Sequence, residues 1–301
     1  GQADAVVALV VVAAGGHHLL MSGPPGAGKT MLARRLPGIL PDLDHEAALS
    51  VASIRSLSGE PITRLPRTPP FESPHHGASA AALIGGGTGV VRPGAIARAS
   101  DGVLFLDEGG EFPSHVLDAL RQPLESGIIQ VHRSGATATY PARFQLIIAT
   151  NPCPCGNHGV TGGVCECAPQ AIRRYTRRLS GPLLDRIDVD LRLQRVSAAR
   201  RDASARVTST AVAREAVAQA RARAAHRWRE TPWRRNADVP GTWLRAHAAP
   251  NAQVLAPLDR ALRTGALTLR GYDRLLRVRK MDLRPRLYGA QWLTPLRYVQ
   301  R

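Results

Sequence analysis

Lysine is almost missing from this 301-residue chain: Lys29 and Lys280 are the only two among its 40 basic side chains. Aromatic residues reach only 4%, so any core must be built from Ala, Val and Leu. Apolar residues still make up 44% and charged residues 21%, which excludes a disordered chain and allows more than one domain. No apolar run approaches the ~18 residues that cross a bilayer. The longest, Ala5 to Ala14, stops at Gly15-Gly16-His17-His18 and predicts a buried helix. The opening Gly1-Gln2-Ala3-Asp4 has no basic segment of the kind that starts a signal peptide, so neither a membrane protein nor a secreted one is expected, and the cytoplasm is the expected location. An initiator Met is also lacking, so a piece of a longer protein is expected. Acidic residues are scarce: 23 against 40 basic leaves +17, which favours a polyanionic partner, nucleic acid or nucleotide.

The scarcity of lysine makes the early one conspicuous. It lies in Gly23-Pro24-Pro25-Gly26-Ala27-Gly28-Lys29-Thr30, a complete G-x-x-x-x-G-K-[ST] pattern. A short apolar run, Leu19-Leu20-Met21, reads as a buried strand before it. Met31 to Leu36 reads as a helix after it, ending at Pro37. Strand, glycine loop and helix are the context the pattern needs. Backbone N–H groups curl around phosphates at the positive end of the helix. Lys29 would reach the β- and γ-phosphates of ATP, the Thr30 hydroxyl would bind Mg²⁺, and Gly23 through Met31 form the expected nucleotide-binding segment.

A phosphate loop needs an acidic strand beside it. Val103-Leu104-Phe105-Leu106 supplies a buried strand, and Asp107 and Glu108 emerge at its C-terminal end. Asp107 would hold Mg²⁺ through water and Glu108 would polarise the attacking water, which points to hydrolysis rather than binding alone. A third buried run, Phe144 to Ala149, ends in Thr150-Asn151-Pro152, placing an amide at a strand tip. A last strand is expected from Val189 to Leu193.

The order of Gly15-Gly16-His17-His18-Leu19-Leu20, Phe71-Glu72-Ser73-Pro74-His75-His76, Gly102 to Glu108, Leu117 to Gly127, Tyr140 to Phe144 and Leu184-Asp185-Arg186-Ile187-Asp188 resembles the magnesium-chelatase-like AAA+ ATPases. Within them it is most similar to the ComM/YifB branch, nearly continuously from Gly1 to about Arg279. The resemblance implies an α/β fold: a P-loop NTPase three-layer α/β/α sandwich with a smaller C-terminal helical lid. The expected division is an ATPase domain over 1–195, a lid over 196–279 and an atypical basic tail over 280–301. It implies a homo-oligomeric ring, a hexamer in that family, that couples ATP hydrolysis to branch migration of DNA. Asn151 matches the sensor that orients the water. Arg186 matches the finger that reaches a neighbouring subunit's γ-phosphate, and Arg270 the lid arginine that reads nucleotide within its own chain. Two other readings stand beside the DNA motor: an ATPase partner of a metal-inserting chelatase, and a shortened product that only binds nucleotide.

The chain departs from that family where Glu108 is followed by Gly109-Gly110, which predicts a loosely held acid. In the lid, Ser209 is expected to cap a helix through about Glu230, with Val212, Ala216, Ala220 and Ala224 as its apolar stripe, and Gly265 to precede a helix from Leu267 to Val278. Residues 171–235 carry 17 Arg against 6 acids, either a DNA-facing band or a solvated surface. Ile128–His132 and Thr137–Tyr140 read as a β-hairpin where related ring helicases place a pore loop, with Arg133 near the tip as a phosphate contact. His75 and His76 read as hydrogen-bonding loop residues. The four cysteines lie close together: Cys153-Pro154-Cys155, nine residues, then Cys165-Glu166-Cys167. In a reducing compartment this pattern fits structural Zn²⁺, four free thiols or a redox pair.

Overall fold

Short apolar runs with no polar face make strands that are buried on both sides, and here they assemble into one parallel sheet. The computed structural model describes residues 3–87, 91–133, 136–195, 208–247 and 252–279. The tail over 280–301 lies outside the described residues. Helix α1 (Ala3–Gly15) leads into β1 (Leu19–Ser22), and the glycine loop then opens α2 (Lys29–Ile39). Helix α3 (His45–Leu57) starts where the Asp44 carboxylate accepts a hydrogen bond from the Ala47 N–H, and is followed by β2 (Phe71–Glu72). Helix α4 (Ala80–Ile84), the ribbon β3 (Gly85–Gly86) with β4 (Arg92–Pro93), and α5 (Ala95–Arg98) lead to β5 (Val103–Leu106). Helices α6 (Ser114–Asp118) and α7 (Arg121–Ser126) and the antiparallel hairpin β6 (Ile128–Arg133) and β7 (Ala136–Pro141) precede β8 (Gln145–Thr150). Then come α8 (Pro169–Thr176), α9 (Gly181–Leu184) and β9 (Val189–Arg192), and finally α10 (Thr210–Arg227), α11 (Gly241–His247), α12 (Ala252–Arg263) and α13 (Leu269–Arg279).

The five-stranded sheet runs β2-β5-β8-β1-β9 with every pairing parallel. Alternation along the strands divides their side chains between two cores. Leu19 and Met21, Val103 and Phe105, and Ile147 and Ala149 join the core shared with α1 and α2. Leu20, Leu104, Leu106, Leu146 and Ile148 join the opposite core, with α5, α6 and the hairpin. The result is the three-layer α/β/α sandwich implied by the resemblance. A third core, in the C-terminal helices, is aromatic: Trp228, Trp233 and Trp243 pack edge to face with centroids 5.1–6.3 Å apart. The Trp228 indole N–H donates to Asn236 Oδ1 at 3.0 Å, so its one polar atom is satisfied.

Several expected details shift. Helix α2 runs two residues past Pro37, because Leu36 and Ile39 on either side are buried in the core. Helix α10 begins at the Ser209 cap, but its stripe is Ala213, Ala216, Val217, Ala220 and Ala224, while Val212 is exposed. The stripe follows i, i+3, i+4 and i+7 spacing rather than a strict i+4 ladder, as a 3.6-residue period requires. The last helix starts at Leu269, two residues later than the pattern suggested. Part of the arginine-rich band is taken up in ion pairs at the surface: Arg178 meets Glu111, Arg214 meets Asp42, Arg234 meets Asp44 and Arg235 meets Asp238. Arg221 donates twice to the Ala13 carbonyl, at 3.0 and 2.6 Å, and closes the C-terminal end of α1.

At the N-terminal edge of the sheet a polar cluster ties three strands together. His18 Nδ1 accepts from the Leu146 N–H at 3.0 Å, and the His18 N–H donates to Asp188 Oδ2 at 3.1 Å. His17 is fully buried, with Nδ1 3.2 Å from the same carboxylate oxygen. Burial holds the His18 imidazole down to about 4, against the pull of Asp188. Burial alone would raise the Asp188 carboxyl, but the His17 hydrogen bond and neighbouring positive charges bring it to about 2, so it stays ionised above pH 4. A histidine that refuses a proton when folded but takes one when unfolded destabilises the fold as pH drops through 6.5 toward 4. We expect unfolding in urea to lose about 2 kcal/mol from His18 alone between pH 7 and pH 5. His18→Asn, whose amide oxygen can accept from Leu146, should remove most of that difference; an equal pH dependence in both proteins would assign it elsewhere.

Candidate nucleotide site

The three loops that leave β1, β5 and β8 open at the same edge of the sheet, because the strands are parallel and in close register. Ser22 pairs with Thr150, and Leu106 pairs with Ile148. The phosphate loop therefore lies beside Asn151, and Asn151 beside the acidic turn. Gly28 caps α2 with φ 86°, a conformation glycine adopts without strain, and it directs the backbone N–H groups inward. Lys29 is buried, and its Nζ donates to the Gly23 and Pro24 carbonyls at 2.6 and 2.9 Å and to Asn151 Oδ1 at 2.9 Å. Burial lowers its affinity for the proton, and the charges of Asp107 and Glu108 partly restore it. Thr30 Oγ1 donates to Asp107 Oδ2 at 2.8 Å, so a hydroxyl and a carboxylate oxygen converge as a hard divalent cation requires.

Glu108 adopts φ 54° and ψ 44°, a left-handed conformation that costs a residue with a side chain about 1–3 kcal/mol. The turn that follows the acid is nonetheless packed. Gly109 and Gly110 form a buried 3₁₀ turn with Glu111, and a Cβ on Gly110 would overlap the ring of Tyr175 from α8. Arg178 Nη1 donates to the Gly110 carbonyl at 2.7 Å and pins the turn from outside. Neither position has room for a side chain: Gly110 faces Tyr175 of α8, and a Cβ on Gly109 would run into Ile148 of β8. Glu108 itself meets His76, with Nδ1 3.1 Å from Oε2, and the His76 ring lies tilted against His75 with centroids 4.0 Å apart. The sequence reading gave His76 no role beyond its loop. Its place in the Phe71–His76 motif was the available signal.

The other expected residues fall into separate groups. Arg186 hydrogen-bonds to the Pro182 carbonyl and pairs with Glu125. Arg270 donates to Asp185 Oδ2 at 3.3 Å and lines, with Arg186, a cavity of about 310 Å³ that includes no phosphate-loop residue. Helix α13 is docked there by Arg274, which donates to the Leu184 and Ile187 carbonyls at 3.2 and 2.6 Å. The lid arginine thus shares the face of Arg186, where a role toward nucleotide in its own chain had been expected. Arg133 ends β6, and its partner in the hairpin register is Ala136; residues 134 and 135 lie outside the described residues. The four cysteines do come together, with Sγ atoms of Cys153, Cys155 and Cys165 separated by 3.4–3.8 Å and Cys167 within 4.8 Å of each.

Fold and site define a phosphate-loop NTPase with an acidic strand and an amide, Asn151, at the tip of the strand beside it. The family model for the magnesium chelatase subunit ChlI matches residues 1–201, and the model for its C-terminal part matches residues 207–281. An uncharacterized protein of Mycobacterium tuberculosis is 50% identical over 280 residues, covering 92% of this chain and 55% of that protein. Competence protein ComM of Haemophilus influenzae is 42% identical over 280 residues, 92% of this chain and 54% of its own length. Protein YifB of Escherichia coli is 52% identical over 172 residues, 57% of this chain and 33% of YifB. The chain belongs to the magnesium-chelatase-like family of AAA+ ATPases, in its ComM/YifB branch. It spans about half the length of the first two of these relatives. Among the described residues no helix is long and apolar enough to cross a membrane.

The His76 contact gives the site a test of its own. His76→Ala leaves the phosphate loop untouched but frees Glu108, so ATP turnover should fall several-fold while affinity for a fluorescent ATP analogue stays within about twofold. An equal loss of affinity and turnover would show that His76 supports the loop as a whole.

Proposed function

We propose that this chain is the ATP-hydrolysing part of a ring-forming DNA motor. The observation that carries hydrolysis is the convergence of Lys29, Asn151, Thr30 and Asp107 within hydrogen-bond distance at one sheet edge. Bound MgATP supplies the bond to be broken and a metal that spreads charge on the phosphates. Lys29 then exchanges its carbonyl and amide partners for phosphate oxygens. Thr30 and, through water, Asp107 would hold the metal; Asn151, once released, would orient the attacking water, and Glu108, set by His76, would accept its proton as the γ-phosphate separates from ADP. Arg186 acts on the γ-phosphate of a neighbouring subunit after leaving Glu125, and Arg270 works beside it from the same face.

Three features support DNA as the partner. The formal charge is +17. Arg173, Arg174 and Arg177 are exposed in and just after α8 and have no carboxylate partner among the described residues. The β6–β7 hairpin, with Arg133 at its end, branches off between the acidic and sensor strands. The relative from Haemophilus influenzae is a competence protein, which accords with this reading.

ATP turnover measured with and without forked DNA tests the motor directly. A several-fold stimulation is expected; turnover without stimulation favours an ATPase that acts on a protein complex such as a chelatase, and absent turnover leaves nucleotide binding alone. The shared site makes a second prediction. Arg186→Ala and Glu108→Gln should each keep nucleotide affinity near normal and abolish most hydrolysis. Mixed rings should recover part of it by pairing an intact finger with an intact acid. No recovery at any mixing ratio would exclude action across subunits.

A further inference from the structure

We propose that Cys153, Cys155, Cys165 and Cys167 bind one Zn²⁺, and that this ion is the clasp holding the phosphate loop, the sensor and the acidic turn in one arrangement. The second half of the proposal rests on reading the site as one that binds ATP. Zinc–sulfur bonds of about 2.3 Å in a tetrahedron place the sulfurs about 3.8 Å apart. The three Sγ separations among Cys153, Cys155 and Cys165 are 3.4, 3.8 and 3.7 Å, and Cys167 closes the group. All four cysteines are unpaired thiols, so four soft ligands converge on one point, a set suited to zinc. The loop supplies outer support as well. The His158 N–H points at Cys153 Sγ from 3.3 Å, the Gly156 N–H donates to the Cys153 carbonyl at 3.0 Å, and the Asn157 amide donates to the Val164 carbonyl at 3.2 Å, tying the two cysteine pairs together. Binding releases the thiol protons to solvent and changes no oxidation state.

Each arm of the cluster touches a different limb of the nucleotide site. Cys153 is fully buried and stands two residues after Asn151, the acceptor for Lys29. Gly156, with φ 80°, lies flat against Pro25 of the phosphate loop, where any Cβ would overlap the proline ring. Cys167 runs directly into α8, whose Tyr175 packs on Gly110 and which is followed by Arg178 bonded to the Gly110 carbonyl. A loop of some fifteen residues rich in glycine costs much conformational entropy to hold in one shape. One ion bound by four thiolates supplies that constraint, and the three contacts pass it on.

The test uses the whole chain, purified without a metal-binding tag. Elemental analysis should give about one zinc per chain, released when a mercurial reagent titrates the thiols. Cys165→Ser with Cys167→Ser should lose the zinc and raise the dissociation constant for a fluorescent ATP analogue at least tenfold. Should that variant fail to fold, Gly156→Ala decides: it keeps all four thiolates, so it should retain zinc yet bind the analogue at least fivefold more weakly. Well under one zinc per chain in the unaltered protein, or iron in its place, overturns the site. Full zinc in Gly156→Ala with unchanged affinity overturns the clasp and leaves the nucleotide reading intact. Zinc-loaded protein that binds no ATP analogue overturns the nucleotide reading, and the clasp with it, but not the metal site.

Discussion

The site depends on β8 lying between β1 and β5. With that order, Asn151 at the end of β8 is flanked by Gly23 on one side and Asp107 on the other, and Lys29 can reach it without leaving its own loop. Register matters as much as order. A slip of one residue in β8 would send Ile147 and Ala149 to the layer of Leu146 and Ile148, exchanging both cores at once. The same packing that buries the strands therefore fixes the position of the amide. No separate device is needed to align it.

Much of this was legible because the central strands have no polar face. Leu19–Met21, Val103–Leu106 and Gln145–Ala149 can only be interior strands, and each is followed at once by a motif whose chemistry needs a strand tip. The hairpin was legible from its two alternating runs. What escaped the sequence depends on distant partners. His76 and Glu108 are far apart in the chain, and nothing local announces their pairing. Gly109 and Gly110 read as weakness until Ile148 of β8 and Tyr175 of α8 are seen filling the space beside them. Helix α3 shows little amphipathic pattern, and two of the three core tryptophans, Trp228 and Trp233, lie outside the helices. Arg270 matched a motif, yet its surroundings are set by where Arg274 docks α13, which spacing alone does not reveal.

The preference for arginine has a structural use here. A guanidinium can serve two carbonyls, or a carbonyl and a carboxylate, from one rigid fork, whereas an ammonium is a single point of charge. Arg178 bridges Gly110 and Glu111, and Arg274 serves both Leu184 and Ile187. Arg277 donates to the Val239 carbonyl at 2.7 Å within the helical region. These are fasteners between segments of irregular backbone, where carbonyls would otherwise lack partners. The basic excess is thus partly spent inside the fold. Lys29, the one described residue where a compact, movable charge is wanted, is also the one described lysine.

Helix α10 belongs to two cores. Ala213, Ala216, Val217 and Ala220 pack with α1 and α2, while Ala224 and the Trp228 that follows belong to the tryptophan core. Its 18 residues form a rod about 27 Å long. A rod gripped at both ends behaves as a lever rather than a hinge. Any tilt of the helical region bears on α2, and the foot of α2 is the phosphate loop itself. Through that one helix, the tryptophan core and the start of the glycine loop lean on a single support.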